Sequence, residues 1–498
     1  MSCFAQRCGV FDAAAAERVQ QAARDWGLDQ VRIAWGDLHG AWRGKTLMPG
    51  ALRAAFEDGV GMVSTLLLKD SADRTALPVF ASGALQGLPG LAGLGRANNV
   101  LLLPDPDSFR VLPWAPGTGW LQAQPWFEDG SPVPIDPRGV LQAALKRLAD
   151  AGFGLTCGLE VEFHVYRITD ARDDPAQAAW PAEPPAVALL HPGWQLLSEA
   201  HADACDDMLA LVRRTAQGLG LPLRSLEIEM GPSQFEAVFD ATDALAAADQ
   251  MLLFRNGVRQ ALRRAGFLAT FVCRPPFDSI MSSGWHLHQS LRRLADGSNA
   301  FVPHGEDGDG SDAGTRAGRD DARHWLSAAG SAWLAGLLAH ARGAALCAVP
   351  TVNGYERFRP DSMAPVAVQW GRDHRGTMLR VLGGPGDAAT RIENRLGEPL
   401  ANPYLYIASQ VHAGLDGLQR GLQPPPATDA LDGAGAAERL PAGLPEAIAA
   451  FEADATLTGG LGAPLAAAYS AVKRAEQARH DEADDPAAWQ RREYFGRY

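Results

Sequence analysis

Charged and metal-binding side chains recur on alternate residues in four short stretches of this chain. They are Glu160-Val161-Glu162, Glu227-Ile228-Glu229, His286-Leu287-His288 and Arg391-Ile392-Glu393-Asn394-Arg395. A period of two belongs to the β-strand, in which residues i and i+2 point to one face. The flanking residues are apolar or aromatic, among them Leu159, Phe163, Leu226 and Trp285. Such strands turn apolar side chains to a core and present carboxylates, imidazoles and guanidiniums on the other side. A cavity lined that way can hold divalent cations and a polyphosphate.

The chain of 498 residues is long enough for two to four domains and a large core. A net charge of −13 argues against a nucleic-acid or anionic-membrane partner. No stretch reaches the length of a membrane span, and the N-terminus lacks the layout of a signal peptide. The 6 cysteines form no CxxC pair and fit no disulfide or zinc spacing. Free thiols in a reducing, cytoplasmic setting are expected.

Residues 12–27 have the pattern of an amphipathic helix, and 31–37 alternate like a strand leading into the turn-rich LHGAWRGK. A second apolar strand is expected at Val100–Leu103. Together these suggest a small α+β N-terminal domain over 1–125, followed by a second domain over 126–498. The stretch 128–137 has the composition of a linker, after which Asp136-Pro137 opens a helix, Arg138–Ala151, that Gly152 closes. Residues 304–323 are Gly- and Asp-rich and read as a loop; their DxDG fragment lacks the closing acid of an EF-hand. Residues 420–443 are Pro/Ala/Gly-rich, and 444–482 form a final helical region.

Glu160, Glu162, Glu229, Glu236, His286 and Glu393 make a natural shell for two hard divalent cations, with positions left for phosphate oxygens. Without cations, carboxylates facing one cavity would repel. Arg357, Arg375, Arg380, Arg391 and Arg395 follow one another in a strand-rich region, and their planar forks suit carboxylate and phosphate.

Longer segments then resemble one family. They are EMGPSQFE at 229–236, ATFVCRPPFDSIMSSGWHLHQSL at 269–291, PTVNGYERFRPDSMAP at 350–365, WGRDHRGTMLRV at 370–381 and RIENRLGEPLANPYL at 391–405. The chain resembles the glutamine synthetase superfamily over nearly its full length. The resemblance implies an α+β fold. A β-grasp N-terminal domain would precede a catalytic domain whose curved antiparallel sheet forms a funnel open at both ends. It also implies a homo-oligomer, commonly a dodecamer of two hexameric rings with active sites shared between neighbours. One metal would sit on Glu162, Glu229 and Glu236, and another on Glu160, His286 and Glu393. Two to three Mg²⁺ or Mn²⁺ ions per site would act with ATP. Arg357 would bind the glutamate α-carboxylate, with Glu162 and Ser282 also lining the substrate site. Arg375 and Arg395 would stabilise the transferring phosphoryl group. Arg380 and Arg391 would hold ATP phosphates, and His288 and Ser290 would line the nucleotide pocket. Asp37 occupies the position of the aspartate that reaches into a neighbour's site to bind and deprotonate ammonium. Glutamate, ATP and a small amine are the implied partners.

One departure bears on the nucleophile. The ammonia-using enzymes carry a glutamate in a flap of the form PGYEAP or PGFEAP, whereas this chain reads Pro360-Asp361-Ser362-Met363-Ala364-Pro365. Methionine is no base and suits an apolar, adaptable surface. Ammonium needs an anionic site, whereas an aromatic amine is neutral at pH 7 and needs an apolar slot. Met363 therefore points to an apolar amine, and the segment from Met363 to LGGPGD resembles the γ-glutamyl amide ligases, the γ-glutamylanilide type above all, which serve amine catabolism. Ammonia, a polyamine, ethanolamine or an alkylamine are the alternatives, as is a catalytically dead homologue; Asp361 offers a substitute acid. No tyrosine lies between Tyr406 and Tyr469, so the adenylylation known in some glutamine synthetases is not expected.

Overall fold

A computed structural model describes residues 2–81, 83, 85, 87–303, 321–359, 362–428 and 437–498. The Asp-rich stretch from 304 to 320, Pro360, Asp361 and residues 429–436 of the Pro/Ala/Gly-rich stretch lie outside those residues.

The first sheet uses β1 (Gln30–Gly36), β2 (Trp42–Leu47), β3 (Val60–Val63), β4 (Asn99–Pro104), β5 (Arg110–Val111) and β6 (Thr118–Trp126). Their order is β2-β1-β6-β4-β3, with β5 on β6. The central β1–β6 pair is parallel and the other pairs are antiparallel, as a β-grasp arrangement requires. The helix Ala13–Asp25 starts where expected, with Asp12 accepting from the Ala15 N–H, and buries Ala15, Ala16, Val19 and Ala23. One expectation needs correcting. LHGAWRGK is not all turn: Trp42 begins β2, because a tight turn at 37–41 folds the chain back onto β1. Gly44, Lys45 and Thr46 hid that strand, since they are exposed at a sheet edge.

The second sheet holds β7 (Phe153–Asp170), β8 (Ala186–Ala188), β9 (Leu223–Ile228), β10 (Gln234–Asp243), β11 (Phe267–Thr270), β12 (Trp285–Arg293), β13 (Trp370–Arg372), β14 (Leu379–Leu382) and β15 (Arg391–Asn394). Its order is β13-β14-β15-β12-β7-β10-β9, with β8 and β11 added to β7. The helix Pro137–Asp150, capped by Asp136, leads into β7. On β7 the odd residues Leu159, Val161 and Phe163 are buried. The Phe163 ring lies 5.7 Å from Phe254 of the helix Ala244–Arg264, which covers this face. Glu160 and Glu162 therefore face the opposite side, as the alternation predicts.

The final helical region is three helices, Leu444–Ala453, Ala455–Leu461 and Ala463–Asp481. Asp454 caps the second and Gly462, at φ +96°, separates it from the third. The last residue ties the two halves together. Tyr498 Oη donates to the Ser71 carbonyl (3.0 Å), while its own carbonyl accepts from Thr270 Oγ1 (2.9 Å) beside β7. No described helix is long and apolar enough to cross a membrane.

His340 links the helices Ala328–Ala339 and Ala341–Ala348 to their neighbours. Its Nδ1 lies 2.7 Å from Asp454 and its Nε2 3.0 Å from Asp416. Burial works against the imidazolium, but the two carboxylates prevail and raise its pKa. A raised folded-state pKa gives stability that is full below the unfolded value and is lost as pH rises through the folded one. His340→Gln is expected to cost roughly 1–2 kcal/mol at pH 5.5 and distinctly less at pH 9, read by urea unfolding. An equal loss at both pH values would refute the charged pairing.

Candidate active site

The polar face of the second sheet closes around a cavity of about 480 Å³. Strand register sets its walls. Glu162 pairs with Glu236, and Glu236 with Glu227, so three carboxylates run side by side across β7, β10 and β9. His286 pairs with Glu160, and Glu393 with both His288 and Arg380. Like charges directly opposite one another destabilise a sheet. This row costs stability unless something neutralises it.

The titration behaviour shows the strain. Burial and then the neighbouring carboxylates push Glu236 up to about 9. Burial and Glu229 push Glu162 up to about 7, and Glu229 is also raised, chiefly by burial. Burial would raise Glu160 too, but hydrogen bonds with His286 and His288 hold it below the usual carboxylate range. Burial and then Arg395 push His286 down to about 4, so its imidazole is neutral. A neutral imidazole among carboxylates is the donor set of a divalent cation.

The donors are close. His286 Nδ1 lies 3.4 Å from Glu160 and 3.6 Å from Glu393; its Nε2 lies 3.8 Å from Glu162 and has no hydrogen-bond partner. Among the described residues, two compact sets could each hold an ion: Glu160, Glu236 and His286, and Glu160, His288 and Glu393. This grouping differs from the expected allocation. His288, assigned to the nucleotide pocket, approaches Glu160 at 3.0 Å, while Glu162 and Glu229 join neither compact set. Glu393 is fully buried and is flanked by Arg395 at 2.5 Å and Arg380 at 3.0 Å.

Most other predicted residues also converge. Arg357, Arg375, Arg380, Arg395, Ser282, Glu229 and Met363 line the same cavity. The Arg357 guanidinium is fixed by the carbonyls of Arg395, Leu396 and Gly397 at 3.0–3.2 Å. Three occupied N–H donors leave its position set before any ligand arrives. His288, Ser290 and Arg391 line an adjoining cavity of about 440 Å³. Glu160 borders both cavities, so the two spaces meet at the cation-binding face, as a funnel with two mouths demands.

Asp37 is not brought to this cavity. Its carboxylate is buried, accepts from the His39 and Ala41 N–H groups, and pairs with Arg43 at 2.9 Å. Within one chain it fixes the turn between β1 and β2.

Sequence reasoning passed over several contributors. Gln234 donates to Glu162 (3.2 Å) and to Ser283 Oγ (3.1 Å), and accepts from Gly231 N–H (2.8 Å). Its amide braces the carboxylate row, and only its place at the start of β10 hinted at this. Glu227 was visible as the partner of Glu229 at i+2. Leu196, Leu197, Met230 and Met281 form an apolar side of the cavity. Met281 stands out in the sequence where the resembled family has Asn, whereas nothing local marks the other three. Gly284 has a double duty: its N–H donates to Glu162 (2.9 Å), and a Cβ there would fall 2.6 Å from Arg357 Nη2.

Similarity to known proteins fits this site. Residues 134–494 match the family described as "Glutamine synthetase, catalytic domain". The chain is 36% identical to the gamma-glutamylanilide synthase of Acinetobacter sp, over 97% of this chain and 95% of that protein. It is 31% identical to the gamma-glutamylethanolamide synthetase GlnA4 of Streptomyces coelicolor, over 94% and 93%. A solved structure described as a GmaS/ADP complex superimposes with a TM-score of 0.75 at 30% identity, covering 95% of this chain and 98% of that one.

Glu236→Gln removes one member of the repelling row. In EDTA at pH 8 it is expected to stabilise the protein by roughly 1–3 kcal/mol, while shrinking the rise in melting temperature that Mg²⁺ or Mn²⁺ produces. A lower melting temperature in EDTA would contradict the repulsion argument. Gly284→Ala is expected to raise KM for glutamate about tenfold or more with a near-native melting temperature, because it displaces Arg357. An unchanged KM would show that the guanidinium can shift without consequence.

Proposed function

We propose that this chain, which belongs to the glutamine synthetase family and is an ATP-dependent glutamate–amine ligase, takes an aromatic amine and makes a γ-glutamylanilide. The observation that carries the reading is the apolar side of the catalytic cavity. Met230, Met281, Leu196, Leu197 and Met363 line it beside the carboxylates. Met363 sits in the flap with φ +59° and a largely exposed side chain, at the mouth where an incoming amine must pass. Its unbranched thioether adapts to a flat ring and offers sulfur–aromatic contact. A relative named for anilide synthesis supports the same reading, although relatives named for other amines stand close behind it.

The chemistry divides between the two faces. Glutamate's γ-carboxylate is a poor electrophile, so one of its oxygens first takes the γ-phosphoryl group of ATP, releasing ADP. Glu160, Glu162, Glu229, Glu236, His286 and Glu393 would hold the divalent cations, which supply charge neutralisation for the phosphoryl oxygens. Arg357 binds the α-carboxylate of glutamate, with Ser282 nearby. Arg375 and Arg395 approach the transferring group, Arg380, Arg391 and Ser290 hold the nucleotide, and His288, beside Glu160, stands between cations and nucleotide. The neutral amine nitrogen attacks the γ-carbonyl of the acyl phosphate. The C–O bond to phosphate breaks, phosphate leaves and the nitrogen sheds a proton. An arylamine needs no base to become a nucleophile, which fits a flap without its glutamate. The 1–125 and 126–498 units and a dodecamer of two hexameric rings belong to the same reading.

Phosphate release with glutamate, ATP and Mg²⁺ or Mn²⁺ across an amine panel tests it. Aniline-type amines should exceed ammonia, ethanolamine and alkylamines in kcat/KM, and the reverse order would overturn the assignment. Met363→Glu should raise the ammonia-to-aniline ratio of kcat/KM by about tenfold or more. An unchanged ratio would remove Met363 as a determinant.

A further inference from the structure

A second cavity, about 590 Å³, shares no lining residue with the catalytic one. It lies where β1, the helix Ala244–Arg264 and the segment after β7 meet. Its chemistry is opposite in sign to that of the catalytic carboxylates. Arg32, Arg172, Arg259, Arg263 and Arg264 line it, against Asp173 and Glu183. That is an excess of cation on a chain whose net charge is −13.

The local hydrogen bonding leaves donors over. Glu183 is shared between Arg172 and Arg492, each at 3.5 Å. Arg32 donates to the neutral Gln260 side chain (3.1 Å). Among the described residues no carboxylate pairs with Arg32, Arg259, Arg263 or Arg264. Burial pushes the Arg259 guanidinium down to about 10, and Tyr498 and Arg497 act on it in opposite senses. An arginine-lined cavity short of counter-charge suits a ligand that carries negative charge.

We propose that this cavity is a binding site for a small polyvalent oxyanion, a di- or tricarboxylate or a phosphate compound, held by Arg32, Arg259 and Arg263. The guanidinium forks suit paired oxygens. Because Arg32 comes from the first sheet and Arg259 from the helix backing the second, the anion bridges the two halves of the chain. The proposal stands apart from the choice of amine.

The test is isothermal titration of the full-length protein in EDTA, with citrate in one arm and inorganic pyrophosphate in the other. Binding at about one equivalent per chain is expected for at least one probe, and the arm that binds tells carboxylate from phosphate chemistry. Arg259→Gln should weaken it by about tenfold or more, and Arg32→Gln, which removes the cation contributed by the first sheet, by a smaller factor. Arg263→Gln, at an exposed position, should also weaken binding and serves if Arg259→Gln does not fold. Arg375→Gln, in the catalytic cavity, should leave this binding unchanged. Absence of binding by both probes overturns the proposal. So does full affinity in Arg259→Gln and Arg263→Gln, or loss of binding in Arg375→Gln alone.

Discussion

Mutual repulsion among carboxylates that the backbone will not let separate governs this protein. Glu227, Glu236 and Glu162 are neighbours across β9, β10 and β7 because the hydrogen-bond register puts them there. The apolar alternates on the same strands, Val161, Phe163 and Phe235, are locked into the core by the helix Ala244–Arg264. A slip by one residue would relieve the repulsion but would bury every carboxylate in hydrocarbon. The sheet therefore holds an electrostatic load that only cations and arginines can offset. Glu393 draws on Arg380 and Arg395, and Glu160 on His286 and His288. Glu236 and Glu162 have less, and burial with neighbouring carboxylates pushes both up. A site that is costly without its cations is one whose stability depends on them.

The same register divides the cavity into chemically distinct regions. Strands place Glu160, Glu162, Glu236, His286, Arg380 and Glu393, the connections between strands add Glu229, Arg357, Arg375 and Arg395, and the apolar wall comes from connections alone. Leu196 and Leu197 lie between β8 and β9, Met230 between β9 and β10, Met281 ahead of β12, and Met363 in the flap. Charge needs sub-ångström placement to act on a phosphoryl group, and strands give it. A hydrophobic slot tolerates looser placement, since its attraction is non-directional. The charged set thus draws on strands and connections together, whereas Leu196, Leu197, Met230, Met281 and Met363 all lie on connections.

This division explains what could be read from the sequence. Glu160-Val161-Glu162 and His286-Leu287-His288 announce both a strand and its polar face, because alternation encodes direction as well as structure. The helix at 13–25 was legible from its amphipathic pattern and the one at 137–150 from its caps. What escaped depends on distant chain segments meeting. Gln234 looks like any strand glutamine until Ser283 and Glu162 arrive beside it. Leu196 and Leu197 look like misplaced core residues in a loop until the cavity closes. Trp42 to Leu47 was missed as a strand because its exposed residues mask the pairing with β1. The pairing of Glu160 with His288 is likewise a matter of side-chain reach, which spacing along the chain does not encode.

The 18-residue β7 carries a consequence for how the protein comes into being. The side chains and amides that brace Glu162 arrive from positions 72 and 122 residues further along the chain. Contacts this far apart in sequence close large loops before they return any energy, and such topologies fold slowly. During synthesis β7 emerges with its acidic face complete but with neither flanking strand yet made. Its carboxylates then stand in water, where their repulsion is screened and small. The electrostatic load is taken on only when β10 and β12 dock. Cations arriving at that moment would act on the assembly of the sheet as well as on the finished catalyst.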